Sequence, residues 1–132
     1  MPSQSLHFDT SEVAAVADIL VHAAGVAPAE ARKVVAKGAL NIKTDARKRA
    51  SGLAHAPAYP NSITYETHET ATSAWAEIGP DKDKRQGDLG NLLEYGSTNN
   101  APRPHLGPAA ETELPKFEAA MEALAVKALG LG

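Results

Sequence analysis

The sequence predicts a small α+β domain with two N-terminal helices, a β-hairpin or small antiparallel sheet, and a C-terminal helix packed on it. The chain of 132 residues has the length of one domain, and its 43% of hydrophobic residues is typical of globular proteins. Apolar residues recur at helical spacing near both ends, whereas two central stretches alternate with the period of a β-strand. We therefore expect residues 1–132 to form a single domain.

The first helix is expected from Asp9 to Ala24, within an acidic segment of residues 1–27. Asp9 and Glu12 have the spacing of a capping box, and Gly25 is well placed to follow the end of the helix. The apolar residues that share one helical face are Val13, Val16, Ala17, Leu20 and Ala24. This segment contains no Lys or Arg, so its helix would be acidic.

A second helix is predicted from Pro28 to Ala50, because proline is favoured in the first turn of a helix and Ser51-Gly52 would end it. Its apolar stripe consists of Val35, Ala39, Ile42 and Ala46. Residues 32–49 also contain seven Lys and Arg residues. Five of them form a basic face: Lys33, Lys37, Lys43, Arg47 and Lys48. Such a face either attracts nucleic acid non-specifically or pairs with an acidic surface of a neighbour.

Two strands, Ser62–Glu69 and Ala71–Ile78, are expected to form the hairpin. The alternation places Ile63, Tyr65 and Thr67 on one face of the first strand. It places Glu66 and His68 on the solvent side, where we expect no site.

The rest of the chain is predicted to contain two irregular segments and a helix. Residues 79–90 are expected to form a charged loop, and residues 97–108 a proline-rich arm. The final helix is expected from Glu113 to Leu129, with Pro115 in its first turn. The buried face of this helix is predicted to comprise Leu114, Phe117, Met121, Leu124 and Ala128.

No pattern in the sequence indicates catalysis or metal binding. The chain has no cysteine, and no two of its five histidines have the spacing of a zinc motif. Asp81, Asp83 and Asp88 resemble part of a calcium loop, but the positions that require glycine and glutamate hold Gln86 and Leu92. Nucleotide-binding and nucleophile motifs are also missing. We expect no catalytic residue, no metal, no cofactor and no enzymatic activity.

Hydropathy predicts a soluble protein. No apolar run approaches the length of a membrane span, and the N-terminus lacks the pattern of a signal peptide. We expect the chain to be intracellular, or part of an assembly that is built inside a cell, without a membrane partner.

The stretch Asn91–Ala110 resembles a family of proteins from long-tailed phages. Its marks are Leu92-Leu93-Glu94-Tyr95-Gly96-Ser97 and then Pro102-Arg103-Pro104-His105-Leu106-Gly107-Pro108-Ala109. Both segments are similar to those of the gp-ten-like family of siphophage tail components, also described as neck or tail-completion proteins. The order of segments is similar over Val34–Leu129. The chain departs from the family at His105, where an aromatic residue is usual, and at Gly107, where a basic residue is usual.

The resemblance implies a structural virion protein that forms a ring in the neck, joins the capsid connector to the tail tube and lets DNA pass. Its implied partners are further copies of itself in a closed sixfold or twelvefold ring, neighbouring neck or connector proteins, and tail-tube or tail-terminator proteins. DNA would be only non-specific channel content, and the basic face would line the channel or contact another subunit. The chain would assemble in the host cytoplasm and lie at the head–tail junction.

The resemblance also indicates where partners would bind. The expected contact residues are Glu94, Tyr95, Gly96, Pro102, Arg103, Pro104, His105 and Leu106. Tyr95 has two interpretations, a core aromatic residue before a turn glycine or a contact with another subunit. Two other functions remain open: a tail terminator that caps the tail tube, and a small non-specific DNA-binding protein that uses the basic helix 32–49.

Overall fold

The structure is a computed structural model that describes residues 3–9, 16–22 and 27–130, the first two ranges as backbone only. Its elements in chain order are β1 (Ser3–Asp9), β2 (Val16–His22), α1 (Pro28–Arg49), β3 (Ile63–Glu69), β4 (Ala74–Pro80), α2 (Gly90–Tyr95) and α3 (Leu106–Ala128). The prediction of a small α+β domain with a C-terminal helix packed on a sheet is confirmed.

The strands form one antiparallel sheet in the order β1-β2-β4-β3. The predicted hairpin is β3 and β4, in which Tyr65 pairs with Ile78 and Thr67 with Ala76. Its turn closes without glycine: the Ser73 N–H donates to Oγ1 of Thr70, and the Thr70 N–H donates to the Ser73 carbonyl. A threonine side chain therefore replaces the Asn-Gly pair that often closes a hairpin.

The expectation of a helix from Asp9 to Ala24 is wrong over Val16–His22, which is strand β2. Asp9 itself ends β1, and the rest of the expected helix lies outside the described residues. The segment fits two periods: Val16, Ala17 and Leu20 share a helical face, whereas Ala17, Ile19 and Val21 alternate as in a strand. The alternating residues pair in register with three buried residues of β4: Ile78, Ala76 and Ala74. Pairing with a buried strand overrides a local helical pattern, because packing contributes more than propensity.

Helix α1 confirms the predicted second helix almost to the residue, since Ala50 is the residue after its last turn. Its predicted stripe of Val35, Ala39, Ile42 and Ala46 is fully buried. The stripe belongs to the same core as Ala74, Ala76 and Ile78 of β4 and as Phe117 and Met121 of α3. Helix α3 packs along α1 and also contacts β1 and β2.

Both irregular segments are shorter than expected. The charged loop of residues 79–90 is reduced to residues 81–86 and one 3-10 turn, because β4 extends to Pro80 and α2 begins at Gly90. Gln86 ties this loop to the segment before β3, since its side chain accepts from the Ala58 N–H and donates to the His55 carbonyl.

Helix α3 begins at Leu106, seven residues before the predicted Glu113, so the arm of residues 97–108 ends earlier and Pro115 lies inside the helix. Phe117 and Met121 are buried as predicted. Leu114 and Leu124 are half-buried and Ala128 is exposed. The upstream half of the buried face, at Leu106, Ala109, Ala110 and Glu113, was not predicted.

Candidate functional site

The candidate site is the corner where α2 meets the start of α3, and its centre is the buried carboxylate of Glu94. One carboxylate oxygen of Glu94 accepts hydrogen bonds from the backbone N–H groups of His105 (3.1 Å) and Leu106 (3.0 Å). The other accepts from the N–H of Gly107 at 3.3 Å. The first N–H groups of a helix have no partner within it and favour negative charge. The Glu94 side chain therefore caps the N-terminus of α3, and this explains why the helix begins before the predicted Glu113.

His105 completes the corner and is fully buried. Its Nδ1 lies 3.0 Å from the Arg103 carbonyl and 3.1 Å from a Glu94 oxygen, two groups that only accept. Nδ1 must therefore carry the proton in the neutral ring, and Nε2 accepts from the Tyr59 hydroxyl at 2.6 Å. The two rings meet edge-on at 89°.

Burial sets the proton affinities of this pair. Burial lowers the pKa of the His105 imidazole, although the Arg103 carbonyl and the Glu94 charge oppose the shift. Burial, and then the charge of Glu94, raises the pKa of the Tyr59 hydroxyl well above its ordinary value. Burial therefore favours the neutral form of both the Tyr59 and the His105 ring. Because both rings are fully buried, they hold the corner together and have no solvent access for acid–base chemistry.

The segment between α2 and α3 lies back on the fold. The Arg103 N–H donates to the Leu93 carbonyl, and the Arg103 guanidinium donates to the carbonyls of Ser51 (2.9 Å) and Arg49 (3.4 Å) at the end of α1. A cation at the C-terminal carbonyls of a helix is favourable. Arg103 thus connects the predicted arm to α1.

Gly96 makes the tight turn after α2 possible. Its φ is +74°, and a Cβ atom at this position would lie 2.7 Å from both the Asn100 oxygen and the Pro102 nitrogen. Only glycine fits such a conformation in such a space.

The structure divides the eight predicted contact residues into two groups. Glu94, His105 and Leu106 are buried, and Gly96 is half-buried in its turn. The residues with exposed side chains are Tyr95, Pro102, Arg103 and Pro104. Tyr95 is 49% exposed, so it is not a core aromatic residue.

A recess of about 490 Å³ opens beside two of these exposed residues, Pro102 and Arg103. Its lining is mostly apolar and includes Leu53, Leu89, Leu92, Leu93 and Pro102. Leu92 is itself 37% exposed. Exposed apolar side chains around a recess are typical of a surface that binds another protein.

The predicted basic face separates into two parts. Lys43 and Arg47 lie toward β3: the Lys43 ammonium is 5.5 Å from the ring centre of Tyr65, and the Arg47 guanidinium donates to the Ile63 carbonyl at 2.8 and 3.0 Å. These two side chains hold the sheet edge. In contrast, Lys33, Lys37 and Lys48 line the grooves between α1 and α3, which Lys116 also lines.

The sequence analysis missed one cluster on the face of the hairpin that is turned away from α1. Glu66 and His68 of β3 and Glu77 of β4 place one ligand atom each within 4.8 Å of the others. Strand alternation alone puts Glu66 and His68 on this face, and the pairing of Glu66 with Glu77 adds the third residue.

Searches with this chain found no matching family model, no matching curated protein and no matching solved structure. Within the described part of the chain, none of the helices combines the length and the apolar character needed to cross a membrane.

Proposed function

We propose that this chain is a structural subunit of the neck of a long-tailed phage, where copies form a closed ring that joins the capsid connector to the tail tube and lets DNA pass. The observation that supports this proposal most is the corner around Glu94. The two sequence segments that resemble neck proteins, residues 92–97 and 102–109, meet there through the Glu94 hydrogen bonds to the start of α3. A fixed corner of this kind presents a preformed surface to a partner.

The exposed side of the corner supplies the contact. Tyr95, Pro102 and Pro104 are exposed, and Pro102 also lines the apolar recess. Aromatic residues are enriched among the residues that dominate binding, and proline loses little entropy on binding. In a ring, the contact joins two different surfaces of neighbouring subunits, so one copy's corner would pack on another face of the next copy.

A test of this proposal compares the assembly of three forms of the full chain. Wild type, Tyr95→Ser and Val126→Ser are purified and examined by native mass spectrometry and negative-stain electron microscopy over a range of concentrations. Val126 is a matched control, because it is also an exposed apolar residue but lies near the end of α3. We expect rings for wild type and Val126→Ser, and loss of rings for Tyr95→Ser at unchanged stability. A chain that stays monomeric throughout, or rings that tolerate Tyr95→Ser as well as the control, would contradict the proposed contact.

A second proposal, non-specific DNA binding, is supported by the alignment of Lys33, Lys37, Lys48 and Lys116 along the grooves between α1 and α3. Cations that contact phosphates release counterions, so affinity falls steeply with salt. If DNA is the partner, Lys37→Glu with Lys48→Glu reduces duplex binding and the salt dependence of the remaining binding. If the grooves contact a neighbouring subunit, the same pair of substitutions impairs ring assembly instead.

A tail terminator would use the same corner and differs from a neck subunit only in its position. Labelling of this chain in purified particles distinguishes the two proposals. A label on the capsid side, separated from the last ring of the tail tube by a further protein, supports the neck subunit. A label directly on the last ring of the tube supports the terminator.

A further inference from the structure

The outer face of the hairpin carries three side chains of the types that bind transition metals. Glu66 and Glu77 face each other across β3 and β4, and His68 pairs with Trp75 one step along. One oxygen from each glutamate and one nitrogen of His68 lie within 4.8 Å of one another. An imidazole nitrogen with carboxylate oxygens is a donor set that zinc uses in proteins.

The His68 side chain is 38% exposed, but its Nε2 atom is buried and has no hydrogen-bond partner. The ring stacks on Trp75, with ring centres 5.2 Å apart and planes at 27°. The closest carboxylate oxygen of Glu66 is 3.8 Å from Nε2. A shielded polar atom without a partner costs free energy, and a metal ion would satisfy it.

The two glutamates have an unfavourable arrangement in the absence of a cation. Like charges directly opposite on neighbouring strands destabilise a sheet. Within residues 27–130, no Lys or Arg forms an ion pair with Glu66 or Glu77. The backbone register continues the row, since Asp18 of β2 pairs with Glu77 and His7 of β1 pairs with Asp18. A row of four titratable residues therefore crosses all four strands.

We propose that Glu66, His68 and Glu77 form a binding site for a divalent transition metal ion of the zinc type. Tetrahedral donors at about 2.1 Å from an ion are roughly 3.4 Å apart, so ligand atoms up to 4.8 Å apart must converge by up to about 1.4 Å. Glu66 and Glu77 are exposed and free to rotate that far. The ion would neutralise the two carboxylates, satisfy Nε2 of His68 and join β3 to β4. The site is independent of ring formation.

The only tryptophan of the chain provides a direct readout. Because Trp75 stacks on His68, a paramagnetic ion bound to this histidine should quench its fluorescence. The untagged full chain is titrated with Ni²⁺ and then with Zn²⁺ as a competitor. The variants are His68→Asn and Glu77→Gln, and the control is His55→Asn, which removes an exposed histidine outside the cluster. Binding is also measured by calorimetry with Zn²⁺, which does not depend on Trp75, and folding of each variant is checked by circular dichroism.

The proposal predicts saturable quenching by one Ni²⁺ per chain, reversal by Zn²⁺ and no response to Mg²⁺, which prefers oxygen ligands alone. His68→Asn and Glu77→Gln should weaken Zn²⁺ binding by about tenfold or more, on the scale that changes in a metal's ligand shells produce. His55→Asn should bind as wild type does. The proposed metal site would be overturned by any of three results. These are quenching that does not saturate, a folded His68→Asn variant that binds Zn²⁺ as tightly as wild type, and loss of binding in His55→Asn alone.

Discussion

The side chain of Glu94 accepts a hydrogen bond from the backbone N–H of Leu106, 3.0 Å away and twelve residues later in the chain. This contact fixes where α3 begins and closes the segment that carries Pro102 and Pro104. It also leaves Tyr95, the next residue, on the surface. One buried carboxylate thus determines both the fold of the corner and what it exposes.

Removal of this carboxylate should destabilise the protein. Glu94→Ala leaves three backbone N–H groups at the start of α3 without an acceptor, and we expect it to lower the free energy of unfolding by about 2–3 kcal/mol. Glu94→Gln keeps one oxygen and should cost less. Urea denaturation measures both, with Glu111→Ala, an exposed residue of α3, as the control. If the control and Glu94→Ala lose equal stability, the capping role is wrong.

The His105–Tyr59 pair should make stability depend on pH on both sides of neutrality. Burial lowers the pKa of folded His105 below 6.5, its value in the unfolded chain, so protons bind preferentially to the unfolded state as the pH falls through that range. Stability is therefore lost below about pH 6.5. Burial raises the pKa of folded Tyr59 above 10.0, its value in the unfolded chain. The Tyr59 hydroxyl therefore loses its proton at a lower pH in the unfolded chain than in the folded chain, and stability also falls above about pH 10.

Two variants separate these effects in denaturation curves measured from pH 5 to 11. His105→Asn should flatten the acid side, and Tyr59→Phe the alkaline side, although both should lower stability at neutral pH through the lost hydrogen bond. Glu94 and Arg103 also face the imidazole, and both residues remain in each variant. If His105→Asn still loses stability below about pH 6.5 as wild type does, a group other than His105 causes that loss.

Alanine substitutions at two glycines with positive φ should separate the cost of backbone strain from the cost of a steric clash. Gly52→Ala meets open space at a φ of +84°, so it should cost only the strain, about 1 kcal/mol. Gly96→Ala at +74° also collides with the backbone at Asn100 and Pro102 and should cost at least twice as much. Thermal or urea unfolding compares the two. Equal losses would contradict the packing of the turn at Gly96.

Neighbouring cations of α1 should differ in their effect on folding. Arg47→Ala removes hydrogen bonds to the Ile63 carbonyl at the start of β3 and should lower the free energy of unfolding by about 1 kcal/mol. Lys48→Ala, at an exposed position in the next residue, should be nearly neutral. If Lys48→Ala lowers the free energy of unfolding more than Arg47→Ala does, Arg47 does not hold the sheet edge, and both cations are surface charges.

Much of the core could be predicted from the sequence because its pattern is local. The stripe of α1 and the alternation of β4 each arise within one element, and burial follows them. In β3, only Ile63 of the predicted face is buried, and Tyr65 and Thr67 are half-buried. The N-terminal error has a physical cause: residues 16–22 fit two periods, and the choice depends on the partner strand β4, which lies more than fifty residues away.

The corner could be predicted only in part. The two segments that carry the resemblance do meet in the structure, but no local rule shows that Glu94 caps a helix twelve residues later or that His105 is buried against Tyr59. The separation of the basic face also depends on tertiary structure, because helical spacing alone does not show that Lys43 and Arg47 lie over β3. Likewise, the cluster of Glu66, His68 and Glu77 requires the strand register.

The ring proposal predicts that a long-tailed phage encodes this chain. Electron microscopy of purified virions tests it most directly, with this chain labelled and its copies counted at the head–tail junction. We predict a closed ring of six or twelve copies between the connector and the tail tube, with Tyr95 at the contact between neighbouring subunits. Absence of the chain from the particle, together with a monomer or dimer in the host cytoplasm, would contradict the proposed function.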